Sequence, residues 1–179
     1  MDDAIEQAAL GYAARGWSVI PAQPQAKRPI VRWKPFQREA ADADTIRAWW
    51  KRWPDANVSI VTGEVSGLIV VDVDPRHGGD RSLAALVKRH TRLPDTVESR
   101  TGGGGRHLYF AHPGGELHNR AGFEPGLDVR GDGGCVVAPP SIHPSGKRYA
   151  WRKGHGPDDL EPVAAPEWLL EIVRDGGEA

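Results

Sequence analysis

Cysteine is almost missing from this chain: Cys135 is the single thiol among 179 residues. One thiol excludes a disulfide framework and a cysteine-built zinc cluster, and its place in an apolar stretch points to a core role. No apolar run is long enough to cross a bilayer, and no secretory leader heads the sequence. A reducing cytoplasm is therefore the expected setting, with no membrane partner. Excess charge of one sign is missing too. A net charge of -1 argues against a tight, sequence-blind DNA binder. There is no internal repeat and no low-complexity tract. What is present is ordinary for a globular protein: 39% hydrophobic and 26% charged residues. The length suits one domain, or two closely joined lobes, with a real core.

The charge is unevenly spread. Residues 81–153 carry a balance of +6 and residues 154–179 one of −6. A basic middle fits phosphate-bearing ligands, and the acidic end should stay away from them; solvated faces are the plainer account.

The most informative segment is Gly67-Leu68-Ile69-Val70-Val71-Asp72-Val73-Asp74. A short β-branched run reads as a buried strand, and such a strand does not normally end in two carboxylates. At a period of two, Asp72 and Asp74 share a face. Like charges that close repel unless a cation sits between them, so a divalent-metal site at the strand end is one account. Two solvated acids in a turn before Pro75 are the other. Four glycines, Gly102 to Gly105, then fall between strand-like Thr96 to Ser99 and His107 to Phe110. Glycine backbone can approach a phosphate and present N–H groups to it, and Arg106 and His107 follow at once. No Gly-Lys-Ser/Thr follows, so this is not a P-loop; a flexible hairpin is the alternative. Further on, Asp128 interrupts an apolar stretch before the turn Gly131-Asp132-Gly133-Gly134. A carboxylate there is costly without a partner, and a third metal ligand is a natural role. Asp132 reads as a turn former.

Together these segments resemble the archaeo-eukaryotic primase superfamily, and more closely the bifunctional primase–polymerase domain of plasmid, phage and mobile-element replication proteins. That family carries an acidic D-x-D or D-x-E strand, a glycine-rich segment ending in histidine, and a later hydrophobic-Asp motif. Here these are Asp72-Val73-Asp74, Gly102 to His107, and Leu127-Asp128. Pro139-Pro140-Ser141 running on to His143-Pro144-Ser145-Gly146-Lys147-Arg148-Tyr149-Ala150-Trp151 matches a further element, as do Lys27-Arg28-Pro29 and Trp33 near the N-terminus. The likeness runs from about Ala8 to Lys153 in the expected order. It departs at Gly105, where many relatives have serine two residues before the motif histidine.

The resemblance implies an α+β, two-lobed primase fold: an N-terminal α/β unit and an RRM-like C-terminal unit, with the active site in the cleft. It implies metal-dependent, template-directed nucleotidyl transfer, as DNA primase, DNA polymerase or both, in replication. Two divalent ions, Mg²⁺ or Mn²⁺, would be held by Asp72, Asp74 and Asp128 about 4 Å apart. His107 would join them as a catalytic residue by hydrogen-bonding the triphosphate. Gly104, Gly105 and Arg106 would cradle it, and Arg130 would clamp it. Lys27, Arg28 and Lys147 would contact phosphates of nucleotide or template, unless they are ordinary surface charge. The implied partners are dNTP or rNTP, a single-stranded DNA template and its primer, and a helicase carried as another domain or protein.

The layout agrees with an α+β chain. Helices are expected over Asp3 to Arg15, over Thr45 to Arg52 capped by Asp44, over Ser82 to His90, and over Glu167 to Val173. Strands are expected at Trp17 to Ile20 and Asn57 to Val61, and repeatedly from Thr96 to Trp151. The catalytic domain spans residues 1–174, and 175–179 reads as a tail or the start of a linker. His90, His112, His118 and His155 read as surface residues, and Trp33 and Trp151 could stack on a base. Three other readings compete: a D-x-D glycosyltransferase, a haloacid-dehalogenase-type phosphatase, and a catalytically silent nucleotide- or DNA-binding module. The phosphatase class wants threonine where this chain has Arg76.

Overall fold

The computed structural model describes residues 3–174, so the expected tail at 175–179 lies outside the described residues. In chain order the elements are α1 (Ala4–Ala14), β1 (Ser18–Ala22), α2 (Ala43–Arg52), β2 (Asn57–Val61), β3 (Leu68–Val73), α3 (Gly79–Arg89), β4 (Val97–Arg100), β5 (Arg106–Ala111), β6 (Arg120–Glu124), β7 (Leu127–Arg130), β8 (Cys135–Val137), β9 (Ala150–Trp151), β10 (Val163–Ala164) and α4 (Glu167–Arg174). The expected α+β class is the observed one. A small antiparallel sheet runs β1-β2-β8, and a larger one runs β6-β7-β3-β5-β4-β9, with β10 added in parallel to β5.

Period-two alternation gives the large sheet two apolar faces. On one, Leu68, Val70, Val97 and Tyr109 pack with the small sheet, α1 and α2. On the other, Ile69, Val71, Val73, Leu108, Phe110 and Val129 meet α3 and α4. Trp151 belongs to the first core, its ring 5.2 Å from Tyr109 and 6.0 Å from Tyr12, so it is not free to stack on a base.

Local chemistry moves some boundaries. α2 is capped by Asp42, not Asp44: Asp42 has extended backbone (ψ 169°) and its carboxylate accepts from Thr45 N at 2.8 Å. Asp44 sits inside the first turn, where a negative charge suits the helix dipole. α3 starts a turn before Ser82, because Gly79 takes its place against backbone. Gly79 N donates to Asp74 O at 2.8 Å and Asp74 N to Gly126 O at 2.8 Å. This pair of bonds pins the end of β3 to the β6–β7 hairpin, and a Cβ on Gly79 would strike both partners.

Asp132 does more than form a turn. Its carboxylate accepts from Leu117 N (2.8 Å) and Glu64 N (3.0 Å) and meets His112 Nε2 at 3.0 Å. His112 is therefore buried against it, with a side chain 5% exposed, rather than on the surface. Burial pushes the Asp132 carboxyl up, but the two N–H donors and His112 outweigh it and hold it below the usual value. A carboxyl lowered on folding stabilises the fold above its unfolded pKa, and that contribution fades as pH falls through the folded value. Asp132→Ala is expected to cost about 2 kcal/mol at neutral pH. Thermal melts should show the gap to wild type closing in strong acid; a constant gap would refute this role.

Candidate active site

The antiparallel register places one polar row across four strands. Asp128 on β7 pairs with Asp72 on β3, Asp72 with His107 on β5, and His107 with Ser99 on β4. Directly opposed residues share a face, with Cβ atoms about 5 Å apart. A one-residue slip of any of these strands would turn its member of the row into the α3–α4 core, so the flanking valines and leucines hold the register. The row lies at the end of the face that the small sheet covers. Asp72 and His107 open into a cavity of about 310 Å³ bounded by β3, β5, β7, β8, Lys27, the glycine loop and the turn from His143 to Tyr149, whereas Asp128 and Ser99 lie outside its lining.

His107 is buried (6% exposed), and its Nδ1 has no hydrogen-bond partner among the described residues. An unpaired buried nitrogen costs about 1–3 kcal/mol, a cost found more often at functional sites than in a settled core. Its Nε2 lies 3.5 Å from Asp72 Oδ1. Burial pushes the Asp72 carboxyl up, but His107, Lys27 and Arg130 together outweigh burial and hold it below the ordinary carboxylate value. Asp72 is thus ionised and faces the cavity.

The other two acids are placed differently. β3 ends at Val73, and Asp74 caps a 3-10 turn at Pro75–His77, accepting from Arg76 N (2.9 Å) and meeting His77 Nδ1 at 2.6 Å. Asp74 still lines the cavity. Asp128 is the cross-strand neighbour of Asp72, yet its Oδ1 accepts from Gly122 N at 2.7 Å and its Oδ2 lies 3.6 Å from Arg130. Among the described residues, no three His, Cys, Asp or Glu side chains are gathered closely enough to hold a metal ion by themselves.

The glycine loop borders the cavity through Gly103 and Gly105. A Cβ on Gly105 would lie 2.8 Å from Val73 O, so the serine of the resembling family has no room here. Gly104 (φ +87°) forms the exposed tip, with nothing within 4 Å of a Cβ built there. Arg106 is a correction. It follows the alternation onto the opposite face and pairs with buried Glu98, at 2.6 Å and 3.2 Å. It cannot share a cradle with its neighbour His107. Arg130 and Lys27 line the cavity, whereas Lys147 is exposed outside the lining. Cys135 is a second correction: it is half-buried in the cavity wall, where burial pushes its thiol up, instead of lying in the core.

Arg76 and Tyr149 have no role assigned from the sequence, yet both line the cavity. Arg76 is carried in by the 3-10 turn after Asp74, a turn that Pro75 signals. Tyr149 is buried, with its ring 6.3 Å from that of His107. Three cations, Lys27, Arg76 and Arg130, thus surround the ionised Asp72, an arrangement suited to a polyanion held beside a carboxylate pair.

One protein-family model, described as bifunctional DNA primase/polymerase, N-terminal, matches residues 9–168. No curated protein matches the chain. No helix among the described residues is long and apolar enough to cross a membrane.

Proposed function

Because the chain belongs to the bifunctional DNA primase/polymerase N-terminal family, we propose that its cavity binds a nucleoside triphosphate and that the domain adds it to a primer end opposite a single-stranded DNA template. The observation that carries this reading is the pair of Asp72 and His107, opposed across β3 and β5, opening into a cation-lined cavity with Asp128 beside Asp72 on β7. The donors of Asp72, Asp74 and Asp128 are all carboxylate oxygens, the hard set that Mg²⁺ and Mn²⁺ prefer, and Asp72 is held ionised. These three residues would hold the two ions, which when bound neutralise triphosphate charge and favour the primer hydroxyl as nucleophile. His107 then directs a ring N–H at a phosphate oxygen. Arg130, Lys27 and Arg76 bind the remaining phosphate charge, and the backbone of Gly103 and Gly105 allows close approach. Exposed Arg28 and Lys147 contact phosphates of template or nucleotide. The small sheet with α1 and α2 forms one lobe and the large sheet the second, RRM-related one; the cavity between the sheets supports that division. Replication of a plasmid, phage or other mobile element, beside a helicase, is the setting that the family likeness supports.

The test is incorporation of labelled dNTP or rNTP on a primed template with Mg²⁺ or Mn²⁺. Template-dictated extension supports the proposal. Nucleotide or DNA binding without any extension would leave the silent binding module. With the family shown, the glycosyltransferase and phosphatase readings lose their ground.

His107→Ala is expected to raise the apparent nucleotide KM about tenfold, with template affinity unchanged. The ring is buried, so a few degrees of melting temperature should be lost as well. Binding must therefore be measured well below the melt. Normal nucleotide binding at low temperature would reduce His107 to a packing residue.

A further inference from the structure

The turn from His143 to Lys147 packs on the glycine loop, and its hydrogen bonds assign a proton. Ser145 N donates to His143 Nδ1 at 3.0 Å. A nitrogen that accepts carries no proton, so the neutral ring bears its hydrogen on Nε2. Ser145 Oγ lies 2.9 Å from the same Nδ1, but it donates to Gly102 O at 3.0 Å and its one proton is committed there. A second ring proton would set N–H against N–H. Burial, with Lys27 and Arg76 nearby, also pushes the ring pKa below its ordinary value. Among the described residues no group hydrogen-bonds Nε2. That nitrogen sits beside the loop: a Cβ on Gly103 would lie 3.0 Å from it, and a Cβ on Gly102 would strike His143 Cβ and lie 2.6 Å from Lys147 O. The imidazole lines the same cavity as Asp72, Lys27 and Arg76.

We infer that His143 is a fixed, neutral hydrogen-bond donor, through Nε2–H, to a phosphate oxygen of the nucleotide held in this cavity, with Ser145 setting its tautomer. The inference rests on the nucleotide-binding reading above. It separates two histidines by their surroundings. His107 faces a carboxylate, whereas His143 faces two cations and a loop of bare backbone. A charged ring beside Lys27 and Arg76 would add repulsion to the empty cavity. A neutral N–H adds a directed bond without that cost. Gly102, without room for a Cβ, and Gly103, with little, bring the loop against the ring, so His143 and the backbone of Gly103 border one wall.

The test uses the full chain, a Mg²⁺-dNTP titrated by calorimetry, and the variants His143→Phe and His143→Gln. Phenylalanine keeps a ring under the glycine loop and removes the donor; glutamine restores a side-chain N–H. His143→Phe should bind about tenfold more weakly, the loss of one bond to a charged acceptor, and His143→Gln should recover part of it. Affinity for the primed template should not move. In parallel, long-range ¹H–¹⁵N spectra of the wild-type imidazole should show the Nε2–H tautomer, with the Nε2 resonance shifting when nucleotide is added. That spectrum keeps the test open if a variant fails to fold. Wild-type-like binding by His143→Phe, or an Nδ1–H tautomer, overturns the inference while leaving the nucleotide site intact. Absence of dNTP binding by the wild type overturns the nucleotide reading itself, and this inference with it.

Discussion

Asp72→Asn is expected to lower templated nucleotide incorporation by on the order of 10³-fold, several kcal/mol of barrier, while the domain stays folded. Asparagine keeps the shape and one acceptor oxygen but removes the charge at the centre of the row. Two effects compete for the stability of the empty protein. Asp72 is opposed by Asp128 on β7, a like-charge pair whose relief would stabilise the variant. Against that stand His107, Lys27 and Arg130, which outweigh burial and hold the Asp72 carboxyl low. Asp128 has its own donors in Gly122 N and, more distantly, Arg130. These three partners win, so the empty Asp72→Asn variant should melt at or slightly below the wild-type temperature. Primer extension beside thermal melts decides the matter. Near-normal extension by the folded variant would remove Asp72 from the chemistry.

Glu98→Ala should be among the most destabilising single substitutions in the sheet, at about 3 kcal/mol. Glu98 is 3% exposed and carries Arg106 at 2.6 Å, with Arg152 3.7 Å away. Removing it strands Arg106 beside Leu108, Phe110 and Leu83, which wall a second cavity on the far face of the sheet. Arg106 is partly exposed and can turn towards water, so the loss falls at the lower end of what breaking a fully buried pair costs. The companion variant Arg106→Met separates structure from binding. Serving the fold, Arg106 should give up melting temperature and leave dNTP affinity unchanged. A weakened dNTP affinity with an intact melt would return Arg106 to the triphosphate cradle.

The strand carrying Asp72 is legible because a short β-branched run stopped by acids fits little besides the end of a buried strand, and its bounds hold to within a residue. The same alternation that puts Asp72 on the cavity face places Arg106 on the other. Nearness to His107 along the chain suggests a shared cradle for Arg106, but in a strand nearest neighbours never share a face. Asp42 displaces Asp44 as a cap because capping needs extended backbone at that residue, which side-chain chemistry alone does not reveal.

Local pattern by itself determined the α+β class, the four helices, the strand carrying Asp72, and the glycine loop ahead of His107. These follow from periodicity, caps and breakers, which act over a few residues. Only the tertiary structure decided that Asp128, Asp72 and His107 form one row, that Arg76 and Tyr149 join the cavity, and that the His143 ring lies against Gly103 in its wall. Those relations depend on strand register and on contacts such as Gly102 with the turn from His143 to Lys147, between segments some forty residues apart. Pairing between distant segments is selected by burial of both sheet faces at once, a condition that no single stretch of chain expresses.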